Sequence, residues 1–245
     1  MSIEIKKNKE LKLDIPEFIC DGSLDENLNK YDVLKNLNGF KFTAIIGKPG
    51  SGKTSLITAF LTGKKDKKVF RKVFNNILLV MPRSSRESMK KNIFKKHHED
   101  KMFDSLTLET INTIYNKLEE STSEKHTTLL ILDDVGASLK SNEIQKMLRQ
   151  IIYNRRHLKV HIIMLMQSFL SCPKEIRKLL NNVFLFKPSK VEFENLFDEL
   201  FEIDKDLAME IMRYACQEPH DYLMLNIDNQ RMFKKFDEII IHDED

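Results

Sequence analysis

Apolar residues fall along this chain in short runs, separated by longer segments where they recur every three or four positions. The runs cover 42–46, 76–81, 105–109, 128–132, 160–166, 182–186 and 222–227. Each is bounded by polar or turn-forming residues and is predicted to be a strand. Several are apolar throughout, as parallel strands buried on both faces are. The segments between them have the period of amphipathic helices. The clearest is 190–202, which places Phe193, Leu196, Phe197, Leu200 and Phe201 on one face. That spacing assigns its phenylalanines to a core or a subunit contact rather than to base stacking. Strands alternating with helices predict an α/β fold. Residues 1–40 are weakly patterned and broken by Pro16 and Gly22. They are expected to form an N-terminal arm with little structure of its own, free or packed on the core, ahead of one catalytic domain, 41–245.

Composition changes this picture little. The chain has 245 residues, 41% of them apolar, enough for one domain with embellishments. Forty basic residues against 37 acidic ones do not by themselves mark a nucleic-acid binder. The distribution is less even. Residues 63–72 hold six Lys/Arg and one Asp, and residues 83–101 hold seven Lys/Arg against three acids. Residues 191–206 hold seven acids and one Lys. Such asymmetry suits either a nucleic-acid face opposite a partner face or two solvated surfaces. Cys20, Cys172 and Cys216 are far apart and odd in number, which points to a reducing compartment without a disulfide framework. The N-terminus has no apolar signal core, and no apolar run approaches membrane-spanning length, so no membrane association is expected.

The chemistry starts with glycine. The chain has seven, and three of them, Gly47, Gly50 and Gly52, lie between Ile45 and Leu56. Gly47-Lys48-Pro49-Gly50-Ser51-Gly52-Lys53-Thr54 fits G-x-x-x-x-G-K-[ST], with a strand before it and a helix from Ser55 after it. Such a loop presents backbone N–H groups and a helix N-terminus to phosphates. Residues Gly47 to Ser55 are therefore the expected ATP cradle. Lys53 is expected on the β- and γ-phosphates and Thr54 on Mg²⁺. The run Leu129-Leu130-Ile131-Leu132 delivers Asp133 and Asp134 to the carboxyl end of a buried strand, where ligands bind in open α/β sheets. Asp133 would hold Mg²⁺, and Asp134 would orient or deprotonate the attacking water. Gln167, at the end of another buried run, could touch both the γ-phosphate and that water. Arg155 or Arg156 could complete a neighbouring subunit's site as an arginine finger, or could simply be a solvated helix end.

Other patterns weigh less. Asn29-Lys30-Tyr31-Asp32 and Asp133-Asp134-Val135-Gly136 imitate guanine-nucleotide motifs. The gap between Asp32 and the strand at Phe42 is too short for the crossover a permuted GTPase needs. The scattered histidines lack zinc-ligand companions. The sequence between Lys53 and Asp133 leaves room for further strands, unlike the kinase–GTPase branch, where the loop strand and the metal-binding strand are neighbours. The fold expected is a P-loop NTPase of the additional-strand, RecA-like type, a mostly parallel sheet with helices on both faces.

GKPGSGKT, LLILDD and NRRHLKVHIIMLMQS (Asn154 to Ser168) together resemble the poxvirus-type DNA-packaging ATPases of large eukaryotic DNA viruses and virophages, within the FtsK–HerA superfamily. The resemblance covers about Phe42 to Phe186, with a C-terminal continuation in Tyr222 to Ile227. Many members of that superfamily carry Glu where this chain has Asp134. The resemblance implies a homo-oligomeric ring of five or six subunits that hydrolyses ATP to drive double-stranded DNA into a capsid. It also implies contacts with capsid vertex proteins and a place in the host cytoplasm, viral factory or virion. The residues alone imply a Mg²⁺-dependent NTPase. A helicase, another translocase or an ATP-binding scaffold would share those residues.

Overall fold

A computed structural model describes residues 23–89, 92–201 and 203–241. Nine strands form one sheet in the order β3-β2-β4-β5-β1-β6-β7-β8-β9. They are β1 (Phe42–Ile46), β2 (Asn76–Val80), β3 (Met102–Phe103), β4 (Thr128–Asp133), β5 (Val160–Met166), β6 (Asn182–Phe186), β7 (Tyr222–Asn226), β8 (Arg231–Lys234) and β9 (Asp237–Ile239). The six from β3 to β6 pair in parallel, and β7, β8 and β9 continue the sheet antiparallel. The helices are α1 (Asp32–Lys35), α2 (Lys53–Thr62), α3 (Arg83–Glu87), α4 (Leu108–Ser123), α5 (Asn142–Tyr153), α6 (Lys174–Arg177), α7 (Lys190–Leu200) and α8 (Lys205–Ala215).

Strand periodicity sorts the core into two layers, because successive side chains point to opposite faces. Ala44, Leu130, Ile162 and Met164 face one layer, with Ile114 of α4, Leu148 of α5, Phe193 of α7 and Ile211 of α8. Ile45, Ile131, Ile163 and Leu165 face the other, with Ile57 and Phe60 of α2. Helices therefore cover both faces, and the central strands are apolar on both sides because neither side meets water. The α7 stripe is core: Phe193 and Phe197 are buried, with ring centroids 4.3 Å apart.

One sequence expectation changes. Residues 105–109 are not a strand. Thr107 caps α4 by accepting from the backbone N–H of Thr110, and Ile111, Ile114 and Leu118 continue at helical spacing. A local cap plus a long periodic face outweighs two leucines in alternation. The strand there is the two-residue β3, just upstream. The strand that separates β1 from β4 is β5, which follows both in sequence, while β2 and β3 lie beyond β4 toward the sheet edge. Part of the segment expected as an arm packs on the core. Residues 1–22 lie outside the described residues, but Leu28, Val33, Leu34 and Leu37 are buried in the α2-side layer. Among the described residues no helix is long and apolar enough to cross a membrane.

Candidate active site

The loop after β1 closes over itself. Its start is tied to the neighbouring strand by the Gly47 N–H, which donates to Met166 O (3.0 Å). Gly50 and Gly52 have φ of +78° and +111°, in the left-handed region that glycine enters without strain. Gly47 is glycine for a different reason. A Cβ there would lie 2.6 Å from Ser51 Oγ and 2.7 Å from Phe186 Cβ. α2 begins at Lys53 directly after the turn, so its unsatisfied N–H groups face the loop's interior. The Lys53 ammonium donates to Gly47 O (2.5 Å) and Lys48 O (3.1 Å). Partial burial lowers the Lys53 pKa, against the pull of Asp133 and Asp134.

β4 brings the carboxylates. Asp133 is its last residue and pairs in register with Leu165 of β5. Burial pushes the Asp133 carboxyl up to about 6; Lys53 opposes that shift and Asp134 adds to it. Asp134 adopts φ +56°, so the chain turns sharply between the two acids. Its side chain is exposed and accepts from Gln167 Nε2 at 3.4 Å. Gln167 comes from the end of β5, the strand between β1 and β4. Thus β1, β4 and β5 deliver Lys53, Thr54, Asp133, Asp134 and Gln167 to one cleft of about 990 Å³, together with Pro49, Gly50 and Ser55. A smaller cavity of about 390 Å³, lined by Gly136 and Ser171, adjoins it at Asp134 and Gln167.

These donors suit a nucleotide with Mg²⁺. Asp133 is a partly buried carboxylate with no ion pair among the described residues, a state that a bound cation would relieve. One hydroxyl and one carboxylate match Mg²⁺, which keeps several waters and shares phosphate oxygens. The loop's N–H groups and Lys53 supply the complementary positive face.

Some predicted residues lie elsewhere. Arg155 and Arg156 sit at the amino end of β5, the opposite end of the sheet. Arg155 Nε donates to Phe40 O (2.9 Å) and Nη1 to Ile152 O (2.9 Å). In the guanine-like motif, Lys30 pairs with Asp66 (2.8 Å) and Asp32 with Lys35 (2.6 Å), away from the cleft. In the basic stretch Lys68 pairs with Asp25 (2.9 Å), whereas Lys64, Lys65 and Lys67 are exposed. Cys172 and Cys216 are free and buried, with burial raising their thiols to about 12 and about 11. Sequence reasoning missed Ser85, Ser88 and Met89, which line the cleft from the α3 region, and the contact of His220 with Ser51 O. No local pattern announces either.

A family model described as Poxvirus A32 protein matches residues 29–244. Uncharacterized protein 015R of Frog virus 3 (isolate Goorha) is 25% identical over 206 residues, 83% of this chain and 61% of that relative. The chain therefore spans about three fifths of the length of that curated relative. Among solved structures, the DNA-packaging ATPase B204 of Sulfolobus turreted icosahedral virus aligns with a TM-score of 0.61 at 14% identity, over 82% of this chain and 98% of that one. B204 of Sulfolobus turreted icosahedral virus 2, in complex with AMPPCP, gives 0.59 at 12% identity over 83% and 99%. EssC (ATPases 2 and 3) of Geobacillus thermodenitrificans gives 0.51 at 13% identity over 84% and 41%. At these identities the solved structures share the fold. The family match covers nearly all of the described chain, and by it the chain belongs to the poxvirus A32 protein family.

Proposed function

We propose that this chain is a Mg²⁺-dependent ATPase whose turnover drives double-stranded DNA through a homo-oligomeric ring and into a viral capsid. One observation carries the reading: Lys53, Thr54, Asp133, Asp134 and Gln167, from three strands, converge in a single cleft at the carboxyl edge of the sheet. The likeness to B204 of Sulfolobus turreted icosahedral virus, a DNA-packaging ATPase, and to the genome packaging NTPase B204 of Sulfolobus turreted icosahedral virus 2, solved with AMPPCP and ATP-gammaS, supports it. In this reading residues 41–245 are the ATPase domain, with 1–40 as an appended arm.

Lys53 would leave the carbonyls of Gly47 and Lys48 for the β- and γ-phosphates. Thr54 and Asp133 would hold Mg²⁺, which neutralises charge growing on the phosphate oxygens. Asp134 would orient the attacking water and accept its proton. Gln167, already within reach of Asp134, would fix that carboxylate and register the γ-phosphate. In a ring, Arg155 or Arg156 would complete a neighbour's site, and Arg155 would first have to release Phe40 O and Ile152 O. Lys64, Lys65 and Lys67 offer exposed charge for a DNA backbone, a sequence-independent and salt-sensitive contact. Capsid vertex contacts and action in the host cytoplasm or viral factory belong to the same proposal.

The test is ATP turnover with and without duplex DNA, run beside displacement of a third strand from a triplex. DNA-stimulated turnover with third-strand displacement, and no separation of the duplex strands, is the expected result. Duplex unwinding would make the protein a helicase. Turnover indifferent to DNA, without displacement, would overturn the motor.

A further inference from the structure

We infer that His220 is a positioning residue for the phosphate loop: it holds the Ser51 carbonyl and thereby aims the Gly52 N–H at the nucleotide. His220 lies just before β7, 169 residues from Ser51, and its Nδ1 is 2.9 Å from Ser51 O. A carbonyl only accepts, so Nδ1 carries the proton in this contact. The Ser51–Gly52 peptide is trans, as is every peptide bond among the described residues. In a trans peptide the C=O and the N–H point in opposite directions. A ring that fixes Ser51 O on one side therefore fixes the Gly52 N–H on the other. His220 is not among the residues lining the cleft, so its pull on the carbonyl comes from outside the site.

The surroundings fix the turn that carries the ring, and the ring itself is exposed. His220 has φ +67°, an unusual state for a residue with a Cβ. The turn holding it is fastened at the next residue. Asp221 is 3% exposed; its Oδ2 accepts from the Glu218 N–H (2.9 Å), and its Oδ1 pairs with Lys235 Nζ (2.6 Å). On the other flank, Phe186 of β6 packs beneath the loop. A Cβ on Gly52 would lie 3.3 Å from Phe186 Cε1 and 3.4 Å from His220 Nδ1. Phe186 in turn packs on Tyr222 of β7, ring centroids 5.3 Å apart. The antiparallel extension of the sheet thus reaches the phosphate loop through His220 and Phe186. A left-handed residue persists only where its surroundings over-determine it, and the Ser51 contact is the interaction that its side chain gains.

The inference rests on the nucleotide site proposed above, so the test separates the two. AMPPCP affinity is measured by calorimetry for wild type, His220→Gly, His220→Asn and His220→Gln, and saturated ATP turnover is measured for each. Gly accepts the positive φ and removes the donor. Asn accepts the positive φ and places Nδ2 where Nδ1 stood. Gln puts its amide one bond too far. One lost hydrogen bond corresponds to a weakening of about three- to tenfold. His220→Gly and His220→Gln should show that loss, with turnover at saturation within about twofold of wild type, while His220→Asn should bind within about twofold of wild type. Wild-type affinity in both His220→Gly and His220→Gln, or His220→Asn as weak as His220→Gly, overturns the inference. If His220→Gly does not fold, the Asn–Gln pair alone decides it. Absence of AMPPCP binding by wild type would instead refute the nucleotide site itself.

Discussion

The two ends of the parallel sheet treat charge in opposite ways. At the amino end, cations meet partners within the chain. Lys41 pairs with Asp228 (2.8 Å), Lys68 with Asp25 (2.9 Å), and Arg155 donates to two backbone carbonyls. His161, fully buried there, sits 3.0 Å from Gly39 O through Nδ1, and burial lowers its pKa to about 4, so it stays neutral. At the carboxyl end, Lys53, Asp133 and Asp134 crowd one cleft without an ion pair among the described residues. One end is settled for the folded chain alone. At the other, Lys53 donates only to carbonyls of its own loop and Asp133 is partly buried with no ion pair among the described residues, which costs stability and which the proposed Mg²⁺ and nucleotide would relieve.

Substitutions at the carboxyl end should break function first. Lys53→Ala should reduce ATP turnover by about 10³, since charge stabilisation at the transferring group is lost. Asp134→Asn should reduce it by about 10², the loss of a general base, with ATP affinity nearly unchanged. Equal affinity and turnover in wild type and Lys53→Ala would remove this cleft from catalysis. A substitution at the amino end should do the reverse. Arg155→Ala leaves Phe40 O without its donor, while Ile152 O keeps the backbone N–H groups of Asn154 and Arg155, and denaturant unfolding should show a loss of about 1–3 kcal/mol. Its isolated ATP affinity should match wild type. An unchanged unfolding midpoint would show that the two bonds anchor nothing.

The ends also differ in the sign of their pH dependence. His161 has a folded pKa near 4 against an ordinary 6.5, so the unfolded chain binds more protons between those values. Stability from this site is complete above pH 6.5 and falls toward pH 4. Asp133 has a folded pKa near 6 against 3.8, so there the folded chain binds more protons. Its contribution is complete below pH 3.8 and is lost as pH rises through 6. Between pH 4 and 6 the two oppose each other. Unfolding midpoints should therefore rise more steeply with pH over that range in Asp133→Asn than in wild type. Identical slopes would remove one of the two sites from this account.

What the sequence discloses follows how locally each feature is encoded. The phosphate loop is legible because its backbone demands and its chemistry fall within eight consecutive residues, Gly47 to Thr54. The strand ends at Asp133 and Gln167 are legible because burial leaves continuous apolar runs. Pairing is not local, so neither the place of β5 between β1 and β4 nor the contact from His220 to Ser51 could be read from periodicity. The Arg155-Arg156 pair is legible only as chemistry, not as geometry. Residue type suggested a catalytic finger, but the direction of the Arg155 side chain is set by the packing of β1 beside β5. Residues 105–109 failed because alternation over five positions is weaker than a helix cap followed by four turns.

In the proposed site the carboxyl-end charges are held at a cost for Mg²⁺ and nucleotide. Thermal unfolding of wild type and Asp133→Asn at pH 7.5, with and without Mg–ATP, tests this most directly. Without ligand, Asp133→Asn should melt higher, because a partly buried ionised carboxylate has been replaced by a neutral amide. With Mg–ATP at about 100 times its dissociation constant, wild type should gain about 2.7 kcal/mol and Asp133→Asn clearly less. An Asp133→Asn protein that melts lower than wild type without ligand, or gains as much from Mg–ATP, would contradict the account.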